Sequence, residues 1–151
     1  MESPRYPLSR AKRLARLIVT ESLKADLDPL LTAAIVMTES SFRTKTVSPK
    51  GAIGLMQVKP STAKDLIPSK RDGSSGFDLT DPALNLQVGI AYLSLMRERF
   101  GDLELALTAY NMGPARMIRH QKRGLSVGAD YSRRILARYL NYKGFQETQS
   151  S

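Results

Sequence analysis

Glu39 is the only acidic residue between Pro29 and Lys64, and it follows a mostly apolar stretch at residues 30–38. A helix of that composition is buried, so it carries the carboxyl to the edge of the protein interior. Burial disfavours the charged form of a carboxyl and raises its pKa, which keeps a proton available near neutral pH. The position of Glu39 therefore predicts a general acid.

The alternative for Glu39 is a plain surface or structural carboxyl, as for most glutamates. A carboxylate near a helix C-terminus opposes the helix macrodipole, which favours a functional reason for its placement. Neighbouring hydroxyls could orient the carboxyl, and neighbouring cations would lower its pKa unless they point to solvent, as we expect. The hydroxyls belong to Ser40, Ser41 and Ser48, and the cations are Arg43, Lys45 and Lys50.

Two further segments carry polar groups suited to binding. Gly51, Gly54 and Gln57 follow the acid, without the Lys-Ser/Thr ending or preceding strand of a phosphate-binding loop. The glycines would let the backbone approach a ligand closely, and Gln57 would offer an amide. A simple turn between helices is the alternative. Tyr110 and Asn111 precede a Gly-Pro helix stop, where their polar groups are available for hydrogen bonds.

Composition excludes several classes of site. The chain has no cysteine, which removes thiol nucleophiles, disulfides and zinc–thiolate centres and leaves the compartment undecided. Its single histidine, His120, is surrounded by charged and polar residues and is expected to be a solvated surface residue. The net charge of +9 favours a polyanionic partner: nucleic acid, an anionic membrane surface or bacterial cell-wall material.

The elements that must position these groups are predicted to be helices in a single domain, since 151 residues form one ordinary core. The helix that carries the acid has Asp28 as its N-cap and Pro29 in its first turn. Asp81-Pro82 repeats that start, and Asp102 caps a further helix. We expect a mainly α single domain with an irregular segment or small hairpin at residues 44–59.

Hydrophobic spacing predicts the first and last helices. The first should run from about Ser9 to Lys24. Its predicted buried stripe consists of Ala11, Leu14, Ala15 and Ile18. The last should bury Tyr131, Ile135, Tyr139 and Tyr142. We assign residues 1–145 to one domain, 146–151 to a polar, flexible tail, and 71–76 to a surface connection.

Four motifs occur in order along the chain. They are Glu39-Ser40-Ser41-Phe42; Ser48-x-x-Gly51-Ala52-x-Gly54-Leu55-Met56-Gln57 with Pro60, Thr62 and Ala63; Asp81-Pro82-x-x-Asn85 with Gly89, Tyr92 and Leu93; and Ala109-Tyr110-Asn111-x-Gly113-Pro114. Together they resemble the soluble lytic transglycosylase catalytic (SLT) domain of the lysozyme-like superfamily. The resemblance runs from about Leu14 to Tyr142.

The resemblance implies a mostly helical enzyme that cleaves the β-1,4 bond between N-acetylmuramic acid (MurNAc) and N-acetylglucosamine (GlcNAc) in peptidoglycan. Glu39 would be its catalytic acid and base. Substrate binding would involve Ser48, Gln57, Tyr110, Asn111 and Tyr131. Ser48 and Tyr110 would orient the acid or touch the substrate, and Gln57 and Asn111 would line the sugar groove. Tyr131 would lie near its wall.

A single acid also fits that family's mechanism. Ordinary glycosidases use two carboxylates, whereas Glu39 is the only acid between Asp28 and Asp65. The resemblance implies that the acetamido oxygen of the muramic sugar takes the place of the second carboxylate. The product would be a 1,6-anhydro sugar, formed without a cofactor or metal and without consuming water.

Three other functions remain open from the sequence: a lysozyme-type muramidase, a basic helical nucleic-acid-binding protein, and a domain that holds peptidoglycan without cutting it. On the favoured interpretation the partner is the glycan strand, no nucleic acid is bound, and the chain is a monomer. A secretion-machinery or envelope partner is a further option.

We expect a location in the periplasm or cell envelope. The chain shows neither a secretory hydrophobic core nor a membrane-spanning run, so it would be a mature or trimmed form, use another export route, or stay inside.

Overall fold

The computed structural model describes residues 7–68, 76–126 and 128–150. Within these ranges the chain forms seven helices: α1 (Leu8–Lys24), α2 (Pro29–Ser40), α3 (Pro60–Leu66), α4 (Pro82–Phe100), α5 (Leu103–Met112), α6 (Pro114–Lys122) and α7 (Asp130–Gln149). The β pairing in the same ranges consists of isolated antiparallel bridges from Ile53 to Val47 and Val58. The predicted mainly α fold with a small hairpin-like segment at 44–59 is confirmed. Residues 71–75 of the predicted surface connection lie outside the described residues.

Helix α2 lies inside the domain, between α1 and α7. Leu31, Ala34, Ile35 and Val36 are each no more than 3% exposed, as an apolar sequence around the whole helix predicts. At its start the Asp28 carboxylate accepts a hydrogen bond from the backbone N–H of Leu30 at 2.9 Å. Such a cap stabilises a helix by about 1 kcal/mol and fixes where α2 begins.

The predicted starts of α4 and α5 are also confirmed. Asp81 accepts a hydrogen bond from the N–H of Leu84, and Asp102 accepts one from the N–H of Leu105. Gly101 ends α4 with a φ of 75°, in the left-handed region that favours glycine. α4 packs against α1, α3 and α5, so it is the second helix around which the domain is built.

Of the four residues predicted to form the buried stripe of α1, two are buried and two are exposed. Leu14 and Ile18 are buried, whereas Ala11 and Ala15 are exposed. Because α1 contacts both α2 and α4, its buried face continues through Glu21 and turns away from the two alanines. The alanines instead line an apolar groove beside α2.

The segment 44–59 is fixed by side chains from three helices. Ser40 of α2 donates a hydrogen bond to the carbonyl of Leu55 at 2.8 Å, and Tyr110 of α5 donates one to the carbonyl of Met56 at 2.7 Å. From α4, Asn85 accepts a hydrogen bond from the N–H of Met56 and donates to two further carbonyls. The segment is irregular in backbone conformation, yet hydrogen bonds from α2, α4 and α5 hold it in place.

Glycines allow this close packing. A Cβ on Gly54 would lie 2.4 Å from Asn85 Nδ2, and its φ of 78° is in the left-handed region. A Cβ on Gly89 would lie 2.5 Å from Met56 Sδ. Both positions therefore require glycine if the segment is to touch α4.

Helix α7 continues through residues 146–149, which the sequence suggested as a flexible tail. Near its middle, the Tyr139 hydroxyl donates to Asp28 Oδ2 at 2.8 Å and Lys143 forms a salt bridge with the same oxygen at 3.2 Å. These contacts tie α7 to the N-cap residue of α2. No helix in the described ranges is both long and apolar enough to cross a membrane.

Candidate active site

Glu39 lies in the last turn of α2, next to a cleft of about 360 Å³. The helix ends because Ser41 and Phe42 adopt left-handed φ values of 50° and 61°, which turn the chain sharply away. Cleft volumes of this size are typical of small-molecule sites. The sequence prediction that α2 delivers a carboxyl to the edge of the interior therefore agrees with the position of Glu39 in the structure.

The hydrogen-bond partner of Glu39 comes from α7. The Tyr131 hydroxyl donates to Glu39 Oε1, and Tyr131 is only 7% exposed. Ser40, expected to orient the acid, instead donates to the carbonyls of Val36 and Leu55. Tyr131 is not among the residues that line the cleft, and its contact with the site is the hydrogen bond to Glu39.

Burial raises the pKa of Glu39 from 4.5 to about 6. The hydrogen bond from Tyr131 and the positive charge of Arg134 both oppose that rise, because each stabilises the carboxylate. Arg43, Lys45 and Lys50 are exposed, as expected. Sequence reasoning missed Arg134, which lies more than ninety residues along the chain on α7.

Tyr131→Phe tests the role of this hydroxyl as a positioning group. We expect kcat to fall roughly 10- to 100-fold, because a carboxyl without its partner is no longer held in one orientation. The pKa of Glu39 should rise, since the lost hydrogen bond favoured the carboxylate. Kinetics across pH measure both effects.

Tyr142→Phe is the matched control, on the same helix and half-buried. It should leave kcat and the pH profile unchanged. A wild-type kcat and pH profile in Tyr131→Phe would show that the hydroxyl does not position the acid.

The cleft brings together the acid and four of the five predicted binding residues. These four are Ser48, Gln57, Tyr110 and Asn111. The site also contains residues that the sequence did not single out as binding residues: Lys50, Ala52, Val58, Lys59, Thr62, Tyr92, Met112, Gly113 and Arg116. Ala52, Thr62, Tyr92 and Gly113 belong to the sequence motifs described above, and the others lie within a few residues of a predicted one.

Two of the binding candidates, Tyr110 and Ser48, have hydroxyls that form hydrogen bonds within the protein. The Tyr110 hydroxyl is engaged with the Met56 carbonyl, and its ring packs against Tyr92 with centroids 5.2 Å apart. Tyr110 therefore supports the 44–59 segment instead of orienting Glu39. Ser48 Oγ accepts from the N–H of Ala52 at 3.0 Å, which fixes the hydroxyl within the loop.

Gln57 and Asn111 are the candidates with polar atoms left for a ligand. Gln57 has a left-handed φ of 52°, and its amide nitrogen donates to the carbonyls of Gly54 and Thr46. That arrangement leaves the amide oxygen as an acceptor. Asn111 is exposed at the end of α5. Both agree in position with a sugar-binding role.

His120 differs from its expected surface setting. It is half-buried, and its Nδ1 is buried without a hydrogen-bond partner among the described residues. It is not among the residues that line the cleft, so the chemistry there depends on Glu39.

Comparison with known proteins identifies the family. Residues 16–131 match the family model of the transglycosylase SLT domain. The chain belongs to the transglycosylase SLT family. Its fold is accordingly lysozyme-like, and the four motifs of the sequence all lie within or beside the matched region.

Two curated relatives show how far the similarity extends. The transglycosylase of Enterobacteria phage PRD1 is 41% identical over 92 residues, covering 61% of this chain and 32% of that protein. Membrane-bound lytic murein transglycosylase C of Histophilus somni (strain 2336) is 35% identical over 133 residues, covering 78% of this chain and 36% of that protein. This SLT chain thus spans about a third of the length of these relatives.

Solved structures of SLT proteins have the same fold. The 70 kDa soluble lytic transglycosylase of Escherichia coli matches 87% of this chain and 24% of its own, with a TM-score of 0.72 and 26% identity. An inactive glutamate-to-glutamine variant of lytic transglycosylase Slt from Pseudomonas aeruginosa matches 95% of this chain and 25% of its own, with a TM-score of 0.70 and 26% identity.

Proposed function

We propose that this SLT chain is a peptidoglycan lytic transglycosylase that cleaves the MurNAc–GlcNAc β-1,4 bond and forms 1,6-anhydroMurNAc. One observation carries the proposal: among the described residues, Glu39 is the only acid that lines the cleft, and its pKa of about 6 retains a proton in mildly acidic solution. The names of the relatives support the same activity.

In the proposed mechanism Glu39 acts twice. It first donates its proton to the glycosidic oxygen as the bond to C1 of MurNAc breaks, while the substrate's acetamido oxygen stabilises the developing positive charge at C1. The Glu39 carboxylate then accepts the proton of the muramic 6-hydroxyl as O6 bonds to C1. The acid regains its proton, the sugar closes its 1,6-anhydro ring, and no water is consumed.

The pKa of Glu39 suits both steps. A carboxyl with an unshifted pKa would be almost fully ionised near neutral pH, so it could not donate a proton in the first step. A carboxyl with a much higher pKa would be protonated but too weak an acid. Tyr131 supports the second step. Its hydroxyl donates a hydrogen bond to Glu39, which is ionised after the first proton transfer and before the second. The apolar surroundings of α2 raise the pKa and the α7 contacts limit that rise.

The runner-up is a muramidase that hydrolyses the same bond with water. A hydrolase of the usual kind needs a second carboxylate in the cleft. The other described lining residues are neutral or basic, which favours the transglycosylase. A nucleic-acid-binding function has the net charge of +9 in its favour but gives no reason for a half-buried acid in a cleft.

The products distinguish the two enzymes. Purified peptidoglycan is digested, and the released muropeptides are analysed by mass spectrometry. We expect anhydro ends. Reducing ends, heavier by one water, would instead establish hydrolysis, and the absence of released fragments would overturn both.

The pH dependence should follow the protonation of Glu39. We expect kcat/KM to decline above a midpoint of about pH 6, because the first step needs the protonated acid. Arg134→Gln should move the midpoint upward, since removing this cation removes a group that lowers the pKa. Kinetics between pH 4.5 and pH 8 measure both.

Arg133→Gln is the control, because it removes the adjacent, exposed cation on α7. A midpoint near pH 4.5 would contradict the raised pKa of Glu39, and no decline up to pH 8 would contradict Glu39 as the acid. An equal shift in the two arginine variants would show a general charge effect.

The proposed substrate places the protein in the periplasm or cell envelope, where glycan strands are accessible. We propose that it works there as a monomer, because one chain supplies both the acid and its positioning hydroxyl. Fractionation of cells and sedimentation of the purified protein test these two points.

A further inference from the structure

Three cations line the cleft around the single acid. Lys50 lies in the 44–59 segment, Lys59 immediately precedes α3, and Arg116 lies in the first turn of α6. They come from two separate stretches of the chain, so the positive charge does not follow from one basic run. All three are exposed and therefore accessible to a ligand in the cleft.

These cations lack acidic partners within the described part of the chain. The salt bridges found there pair Lys24 with Glu21 and Lys143 with Asp28, outside the cleft. With Glu39 protonated, the described lining of the cleft carries three positive charges and no negative one. A surface of this kind attracts an anion and is stabilised by one.

The glycan backbone cannot provide that anion, because its N-acetylated sugars are uncharged. The negative charge on a peptidoglycan strand lies on the free carboxylates of the stem peptide, which is joined through an amide bond to the lactyl group of MurNAc. We propose that Lys50, Lys59 and Arg116 form a subsite for stem-peptide carboxylates, an inference that rests on the proposed function of the cleft.

The subsite explains why the cleft is basic while the catalytic step needs only a neutral acid. Ion pairs between exposed groups are weak and screened by salt. Their effect is therefore on the capture of the substrate, and it depends on ionic strength. Strands with charged peptides should be preferred over strands whose peptides are neutral.

The test compares soluble glycan strands with intact stem peptides against the same strands after carbodiimide-mediated conversion of the free carboxyls to amides. At pH 5.5 and low salt, we expect kcat/KM to be about tenfold higher for the charged strands. The advantage should shrink towards unity at high salt. Equal kcat/KM on the two substrates at low salt would overturn the subsite.

A triple variant, Lys50→Gln/Lys59→Gln/Arg116→Gln, should remove the preference for charged strands. Its control, Lys12→Gln/Arg13→Gln/Arg16→Gln, removes the same charge from exposed positions on α1, which does not line the cleft. The control should keep the preference. Loss of preference in both triple variants would mean that net charge, and not this cluster, captures the strand.

Failure of the subsite and failure of the proposed function give different results. If neither substrate yields anhydro products, the transglycosylase proposal fails. If both yield anhydro products at equal rates, only the subsite fails. Should the triple variant not fold, as judged by circular dichroism, the single variants Lys50→Gln, Lys59→Gln and Arg116→Gln replace it: each should weaken the preference for charged strands, and an unchanged preference in all three would overturn the subsite.

Discussion

Replacement of Glu39 by glutamine is expected to lower the release of anhydro-muropeptides by about a thousandfold or more. The amide has nearly the shape of the carboxyl and can still accept a hydrogen bond from Tyr131, but it has no acidic proton to give to the glycosidic oxygen. Mass spectrometry of timed digests measures the rate.

Glu98→Gln provides the control, since Glu98 is an exposed residue on α4 outside the cleft. Its rate should equal that of the wild-type protein. If Glu39→Gln folded normally and kept more than about a tenth of the wild-type rate, another group would have to supply the proton.

The same substitution should stabilise the folded protein at neutral pH. The pKa of Glu39 is about 6 in the folded protein against 4.5 for the free group, so the unfolded chain ionises first as pH rises. Wild-type stability therefore falls between these values and stays lower above them. The full shift corresponds to about 2 kcal/mol, and the partial exposure of Glu39 reduces the expected gain to about 1 kcal/mol.

Urea unfolding at pH 4 and pH 7.5 measures this gain. Below pH 4.5 the carboxyl of the wild-type protein is mostly protonated, so it is uncharged like the amide of Glu39→Gln. The two proteins should then have nearly the same free energy of unfolding. A gain of equal size at both pH values would show that packing, and not ionisation, separates the two proteins.

Replacement of Asn85 by alanine is expected to lower the free energy of unfolding by about 3 kcal/mol. Asn85 is fully buried, and each of its three hydrogen bonds measures 2.8 Å. Alanine would leave the N–H of Met56 and the carbonyl of Leu79 without their buried partner, whereas the carbonyl of Ile53 would keep its hydrogen bond from the N–H of Val58. Each such group is costly because no water reaches it.

Catalysis should suffer with stability in this variant. The 44–59 segment carries Ser48 and Gln57 into the cleft, so a loosened segment should raise KM. Gln87→Ala is the control, an exposed amide two residues further along α4. Urea unfolding and kinetics below the unfolding transition measure both effects; a loss within about 0.5 kcal/mol would mean that Asn85 does not fix the segment.

The helices and the acid were predictable because their signals are local. An aspartate before a proline starts a helix through bonds to its own next residues, as at Asp28 and Asp81. Glu39 was recognisable because a single ionisable side chain in a buried apolar helix lowers the stability of the protein, which suggests a functional reason for its presence. These features depend on neighbours in sequence, which the printed chain displays.

The pairing of side chains across helices was not predictable in the same way. Tyr131 and Glu39 lie 92 residues apart, and helical spacing marks Tyr131 as buried without saying which group it meets. Ala11 and Ala15 had the right spacing for the core, but the way α1 lies against α2 and α4 exposes them. Such contacts are set by how whole helices cross.

The bonds from α7 to both ends of α2 also bear on the order of events during folding. Tyr139 holds Asp28 at the start of α2, and Tyr131 holds Glu39 at its end. Closing a loop of this length is among the entropically expensive steps of folding, and it comes late when nearer contacts form first. Until α7 docks, neither the Asp28 carboxylate nor the Glu39 carboxyl has its tyrosine partner.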